Sequence, residues 1–176
     1  MSHFKEIPSG NKYIKKAYVA VMLWFVGRAI QAAARVDKEV KREFEKLPEG
    51  FTLCLGVLPG GPYMIVGKNE KGRVRYLGWK QNGRHIDLDM KIKSIEAAIL
   101  MFTFQESTTV ATARNRLIVD GEVSHACAIV RVLNIAEVYL LPKHIARLAV
   151  KRYPVWSLSR KYIGRIRIYF RSILGY

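Results

Sequence analysis

An α+β fold follows from three features of the chain. Residues 11–46 hold no proline and a single glycine, a run of short strand segments parted by turn residues comes next, and helical spacing returns after Ser94. The expected sheet is five-stranded and mainly antiparallel, preceded by a long N-terminal helix and followed by a basic amphipathic C-terminal helix. At 176 residues the chain can build one core with extensions. The divisions are 1–49 as an N-terminal helical extension, 50–153 as the central domain and 154–176 as a basic tail.

Residues 11–46 are rich in Ala, Lys, Arg and Glu and read as one long helix or two joined ones. The first half is apolar nearly all round. The second places Val36, Val40, Phe44 and Leu47 on one face, and Pro48 and Gly50 end it. Strands are expected over Phe51–Leu58, Tyr63–Gly67, Arg73–Lys80 and His85–Lys93. Asn82-Gly83 is a hairpin dipeptide, so an antiparallel meander is the simplest topology. In the fourth strand Ile86, Leu88, Met90 and Ile92 alternate with polar partners, which predicts a half-buried strand with one wet side. Ser94 caps a helix over Ile95–Gln105, and Ser107 caps a short one to about Arg114. Leu117–Val119 is the fifth strand, closed by Asp120-Gly121. Ser124 is placed to cap an apolar helix to Leu141, and Pro142 to open another ending near Tyr153-Pro154.

The tail from Trp156 to Tyr176 divides on a helical wheel. Leu158, Tyr162, Ile163, Ile166, Tyr169, Phe170, Ile173 and Leu174 share one half; Arg160, Lys161, Arg165, Arg167 and Arg171 share the other, with Ile168 as the misfit. Arg165-Ile-Arg-Ile also alternates like a strand, but a helix matches more positions.

Thirty Lys and Arg against fourteen Asp and Glu give a formal charge of +16, and no acid follows Glu137. Such an excess calls for an anionic partner, with nucleic acid and anionic membrane as the candidates. Lys143, Arg147 and Lys151 add a basic stripe at i, i+4, i+8. A basic amphipathic helix with aromatic residues on its apolar side fits an interfacial membrane helix. No nucleic-acid recognition motif accompanies the charge, which disfavours that partner.

Cys54 and Cys127 make neither a disulfide framework nor a zinc pattern, so a reducing, cytoplasmic setting is expected. Glu6, Pro8 and Gly10 leave no apolar secretory segment at the start. The apolar run Ala17–Val26, flanked by Lys15, Lys16 and Arg28, falls short of the roughly 20 residues of a spanning helix and reads as buried or interfacial.

Orthodox catalytic patterns are lacking. Pro59-Gly-Gly-Pro62 is a turn and not a phosphate loop. Asp87 and Asp89 share a strand face that Lys91 and Lys93 continue, which reads as a solvated face and not an acid–base pair. His85, His125 and His144 lack ligand spacing, and Cys54 and Cys127 read as inert core residues. No cofactor is implied.

The order from Asp87-Leu-Asp-Met-Lys-Ile-Lys-Ser94, through Ile95–Gln105 and Thr108–Arg116, to Leu117-Ile-Val-Asp-Gly-Glu-Val-Ser124 and an apolar helix resembles the sterol-carrier-protein-2 family over about residues 50–153. The glycine often found before that family's short helix is absent, since this chain reads Gln105-Glu-Ser-Thr108. The resemblance implies a five-stranded sheet covered by helices, with an apolar tunnel between them for a sterol, fatty acyl or isoprenoid lipid, and no catalytic residues. The nominated lining is Leu88, Met90, Leu100, Phe104, Val130, Leu133 and Val138. Arg160, Lys161, Arg165, Arg167, Arg171, Tyr169 and Phe170 are the nominated membrane contacts. The function expected is thus non-enzymatic lipid binding or transfer at an anionic membrane surface. The alternatives are a basic nucleic-acid-binding module or an accessory subunit of a lipid or isoprenoid (ubiquinone-type) biosynthetic complex.

Overall fold

Five strands, β1 (Thr52–Val57), β2 (Tyr63–Lys68), β3 (Val74–Gly78), β4 (Leu88–Ile92) and β5 (Leu117–Gly121), form one sheet in the order β3-β2-β1-β4-β5. The structure, a computed structural model, describes residues 12–141 and 158–175, with the side chains of the last helix from Tyr162 onward. Helices α1 (Tyr13–Val36), α2 (Lys38–Glu45), α3 (Ile95–Phe102), α4 (Thr108–Ala113), α5 (Val123–Leu140) and α6 (Leu158–Leu174) accompany the sheet. The α+β class and the mainly antiparallel pairing are as the sequence indicates. The expected Pro142 helix and the Lys143, Arg147, Lys151 stripe lie outside the described residues.

The meander does not form. β4 passes to the far side of β1 and pairs with it in parallel, Leu53 beside Leu88 and Leu55 beside Met90. The Asn82-Gly83 turn itself is present, both residues at positive φ (47° and 70°) and the Arg84 N–H donating to the Gln81 carbonyl. Its flanks explain why no hairpin grows from it. Lys80, Gln81, Arg84 and His85 are polar and exposed, and offer no apolar face to pair over. The apolar side of β4 gains more by lying between β1 and β5, where Leu88, Met90 and Ile92 are fully buried.

The registers put Leu53, Leu55, Val57, Met64, Val66 and the inward residues of β4 on one face. Helices cover that face. α1 packs on β2 and β3, and α5 packs against α1, α2 and β5. Both α1 and α5 are long and apolar enough to cross a membrane by composition. In this fold they bury Val19, Leu23 and Ile30, and Ile129 and Val132, in the core shared with the sheet. Gly27 lets α1 approach closely, because a β-carbon there would sit 2.6 Å from the Tyr76 ring. The opposite face of the sheet is crossed by the β3–β4 connection, whose Gln81 lies 3.7 Å from the Cys54 sulfur.

The three serines expected as caps differ in outcome. Ser94 and Ser107 accept from Ala97 and Val110 N–H groups, as their spacing requires. Ser124 does not cap α5: Glu122 occupies the N-cap, and the Ser124 hydroxyl bonds the Glu122 carboxylate from within the first turn. Cys127 is exposed on α5 and is not a core residue, whereas Cys54 is buried.

Asp37 breaks the first helical stretch in two. Its backbone is extended, its carboxylate accepts from the Glu39 and Val40 N–H groups at 2.8 and 3.2 Å, and it receives the Tyr139 hydroxyl at 2.5 Å. One buried side chain thus caps α2 and ties it to α5. We expect Asp37→Ala to cost about 2–4 kcal/mol in urea unfolding, and Tyr139→Phe, which removes one of these bonds, about 1 kcal/mol.

Candidate functional site

Where α3 turns away from the sheet, an apolar cavity opens between sheet and helices. Leu55, Met90, Ile92 and Leu117 form its floor, and Met101, Phe102 and Phe104 its outer wall. Leu133, Ala136, Glu137 and Leu140 project from one face of α5, and Val26 of α1 closes one end. The spacing 133, 136, 137, 140 is that of a single helical face, so α5 presents all four side chains to the same space. Of the residues nominated from sequence, Met90, Phe104 and Leu133 line this cavity. Leu88, Leu100, Val130 and Val138 lie off it. Leu88 is one strand register further along, buried under other helices, and Val138 sits on the far side of α5.

The cavity volume is about 50 Å³. That admits water or the end of an alkyl chain, whereas whole-lipid pockets run to about 300 Å³ or more. A lipid therefore enters only if the outer wall moves. Met90 and Met101 are unbranched and adaptable. Phe104 has φ of 60°, a region that favours glycine, so its backbone is strained while its ring packs on the core.

Two acids line the cavity, and sequence reading singled out neither. Glu106 is 6% exposed and is held by Arg114 at 2.6 Å and Arg116 at 2.8 Å. Glu137 is different: its Oε2 is buried with no hydrogen-bond partner. Burial alone pushes its carboxyl up to about 8, so it is protonated at neutral pH. The signal available in sequence was the helix's lone acid, set among Ala136, Val138 and Leu140.

Asp87 and Asp89 are half-buried, not the solvated pair expected. Asp87 accepts from the Thr52 N–H at 2.8 Å, and Asp89 pairs with Lys91 at 2.9 Å. Each has a structural partner of its own.

The C-terminal segment is a helix, and it sits in an unexpected orientation. Gly164, Ile168 and Ser172 form its buried stripe, with Ile168 only 1% exposed. Tyr162, Ile163, Ile166, Phe170, Ile173 and Leu174 face outward, Ile166 and Phe170 at 62% and 66% exposure. Two nominated membrane contacts are instead turned inward. Arg165 donates to the carbonyls of Val138, Tyr139 and Leu141 at the end of α5 (2.5–3.1 Å), and Tyr169 donates to the Leu140 carbonyl. The last carbonyls of a helix lack an intrahelical donor, which suits them to a cation and a hydroxyl. Arg167, Phe170 and Arg171 are exposed, and the side chains of Arg160 and Lys161 lie outside the described residues.

The Glu137 assignment has a sign that can be measured. Its folded pKa of about 8 lies above the ordinary 4.5. Between these values the unfolded chain gives up a proton that the folded one keeps, so this group lowers stability as pH rises from about 5 to 8. Wild type should lose ground to Glu137→Gln by up to about 1.4 kcal/mol per pH unit in denaturant titrations across that window. A difference that stays constant with pH would mean an ordinary, solvated carboxylate.

No family model and no curated protein matches this sequence. Among solved structures, the chain is similar to the UbiJ-SCP2 ubiquinone synthesis protein, at 18% identity over 71% of this chain and 97% of that one, with a TM-score of 0.42. It is also similar to the sterol carrier protein domain 2 of Helicoverpa armigera, at 20% identity over 74% and 94% of the two chains, TM-score 0.41. A third similar structure is palmitated SCP2L2 from Aedes aegypti, at 13% identity over 58% and 91%, TM-score 0.36. All three carry the name of the family that the sequence pattern resembles.

Proposed function

We propose that this protein is a non-catalytic lipid binder that takes an apolar chain between the sheet and α5 while docked on an anionic membrane. The observation that carries the reading is the cavity itself: a floor of Leu55, Met90 and Ile92 under a wall of Met101, Phe102 and Phe104, lined mainly by apolar side chains. Apolar side chains that leave a gap forgo contacts which a lipid chain would supply. Outward movement of the α3 exit enlarges the gap to lipid size.

The membrane half of the reading rests on α6. Its outward face is apolar along most of its length and is flanked by Arg167 and Arg171. Arg35 stands near Arg171, Arg75 and Arg73; burial, then these three like charges, lowers the Arg35 guanidinium from its ordinary value. A cluster of that kind is relieved by an anionic surface, with about 1 kcal/mol gained per cation near the headgroups. Exposed Ile and Phe on a monomer's surface fit insertion at the headgroup boundary.

Flotation of the full-length protein with vesicles tests this. Vesicles containing phosphatidylglycerol should carry the protein up, and pure phosphatidylcholine vesicles should carry much less. Raising salt from 0.1 to 1 M shortens the Debye length from about 10 to about 3 Å and should weaken binding without abolishing it. Changing Ile166, Phe170 and Ile173 to Ser should remove the salt-resistant part, and Arg167→Gln with Arg171→Gln the salt-sensitive part. A protein that ignores both vesicle types and retards DNA or RNA is a nucleic-acid binder instead.

A further inference from the structure

Glu137 is difficult to account for as a core residue. It sits on α5 between cavity-lining Ala136 and Leu140, its Oε2 is buried, and no hydrogen-bond partner reaches that atom. A buried polar atom left without a partner is costly, and an alanine or leucine at this helix position would carry no such cost. The missing partner can come from a ligand, because the side chain borders the cavity.

The surroundings restrict what that ligand carries. No Lys, Arg or His is among the described residues lining the cavity. The cations near it, Arg114 and Arg116, are already committed to Glu106. A carboxylate or phosphate brought to Glu137 would find no free cation among the described lining residues of an apolar space, and burying an uncompensated charge is prohibitive. A hydroxyl or carbonyl meets no such penalty. A protonated carboxyl offers one O–H donor and acceptor lone pairs, which complement an alcohol in both directions and a carbonyl in one.

We propose that Glu137 is the headgroup anchor of the cavity, and that the lipid it selects ends in an uncharged oxygen, an alcohol or carbonyl, in preference to a fatty acid anion. This rests on the reading that the cavity takes a lipid. Raised to about 8 by burial, the carboxyl is in the donating form at pH 7. Ser107 and Thr108, which also line the cavity, add hydroxyls without adding charge.

Displacement of the neutral dye Nile red from the full-length protein at pH 7 separates the claims, using oleyl alcohol, oleate and the headless 9-octadecene delivered from cyclodextrin. Octadecene displacement reports the lipid cavity alone, and the alcohol-to-oleate ratio reports the anchor. Oleyl alcohol should act at a concentration at least tenfold below oleate. Glu137→Leu should bring the alcohol close to octadecene in strength, and Glu137→Gln should keep the preference for alcohol. Oleate acting as well as the alcohol on wild type, or a Glu137→Leu variant with an unaltered ratio, overturns the anchor and leaves the lipid cavity standing. Failure of all three ligands to displace the dye overturns the lipid reading and the anchor with it. The wild-type ratio is decisive even if the leucine variant does not fold.

Discussion

Gln31 is almost fully buried in the middle of α1 and spends both ends of its amide. Its Oε1 accepts from the Tyr76 N–H of edge strand β3 at 2.7 Å, and its Nε2 donates to the Gly175 carbonyl just beyond α6 at 3.1 Å. An edge strand presents unpaired backbone groups, and a buried amide needs its own partners, so each satisfies the other. Three elements far apart in sequence are fixed by that one side chain. With α1 pinned at Gln31 and pressed onto Tyr76 through Gly27, Val26 is held in place as the end wall of the cavity. With the end of α6 pinned to α1, its rotation is set too.

That rotation explains the division of labour on α6. Gly164 allows the helix to reach the Tyr139 ring, since a β-carbon there would lie 2.8 Å from it. Ile168 and Ser172 continue this small-to-medium stripe into the core. Arg165 and Tyr169, on the edges of the stripe, satisfy the terminal carbonyls of α5. The bulkier apolar side chains are left outside. The same α5 that α6 caps presents Glu137 and Leu133 to the cavity, so the outward apolar face and the cavity wall belong to one packed unit of helices.

Much of the fold was legible in the residues, and the misses have physical causes. Strand alternation at Leu88, Met90 and Ile92 and capping at Ser94 and Ser107 are local signals, and local chemistry decided them. The residues leave one helix or two open over the first stretch, and Asp37, by capping the second, makes it two. The parallel placement of β4 was not legible, because the Asn82-Gly83 turn forms as its sequence demands while pairing is decided by which surface buries Met90 and Ile92 best. On α6, hydropathy sorted the wheel into halves. Burial followed shape instead: Ile168, the misfit among the arginines, is the isoleucine inside. For the cavity, Met90, Phe104 and Leu133 were readable from position on inward faces. Glu137 was passed over because a charge on an apolar helix reads as an interruption, and its meaning depends on what surrounds it in space.

The central claim, an apolar lipid seated between β4, the α3 exit and α5, is tested most directly by methyl spectroscopy of the methionines. The 13C-methyl signals of Met90 and Met101, which line the cavity, should shift when an unlabelled long-chain alcohol is titrated into the full-length protein, with contacts between ligand chain and methyl protons. Met22 and Met64, which pack in the core away from the cavity, should hold their positions. Shifts confined to Met22 and Met64, or none at any methionine under saturating ligand, would contradict the account.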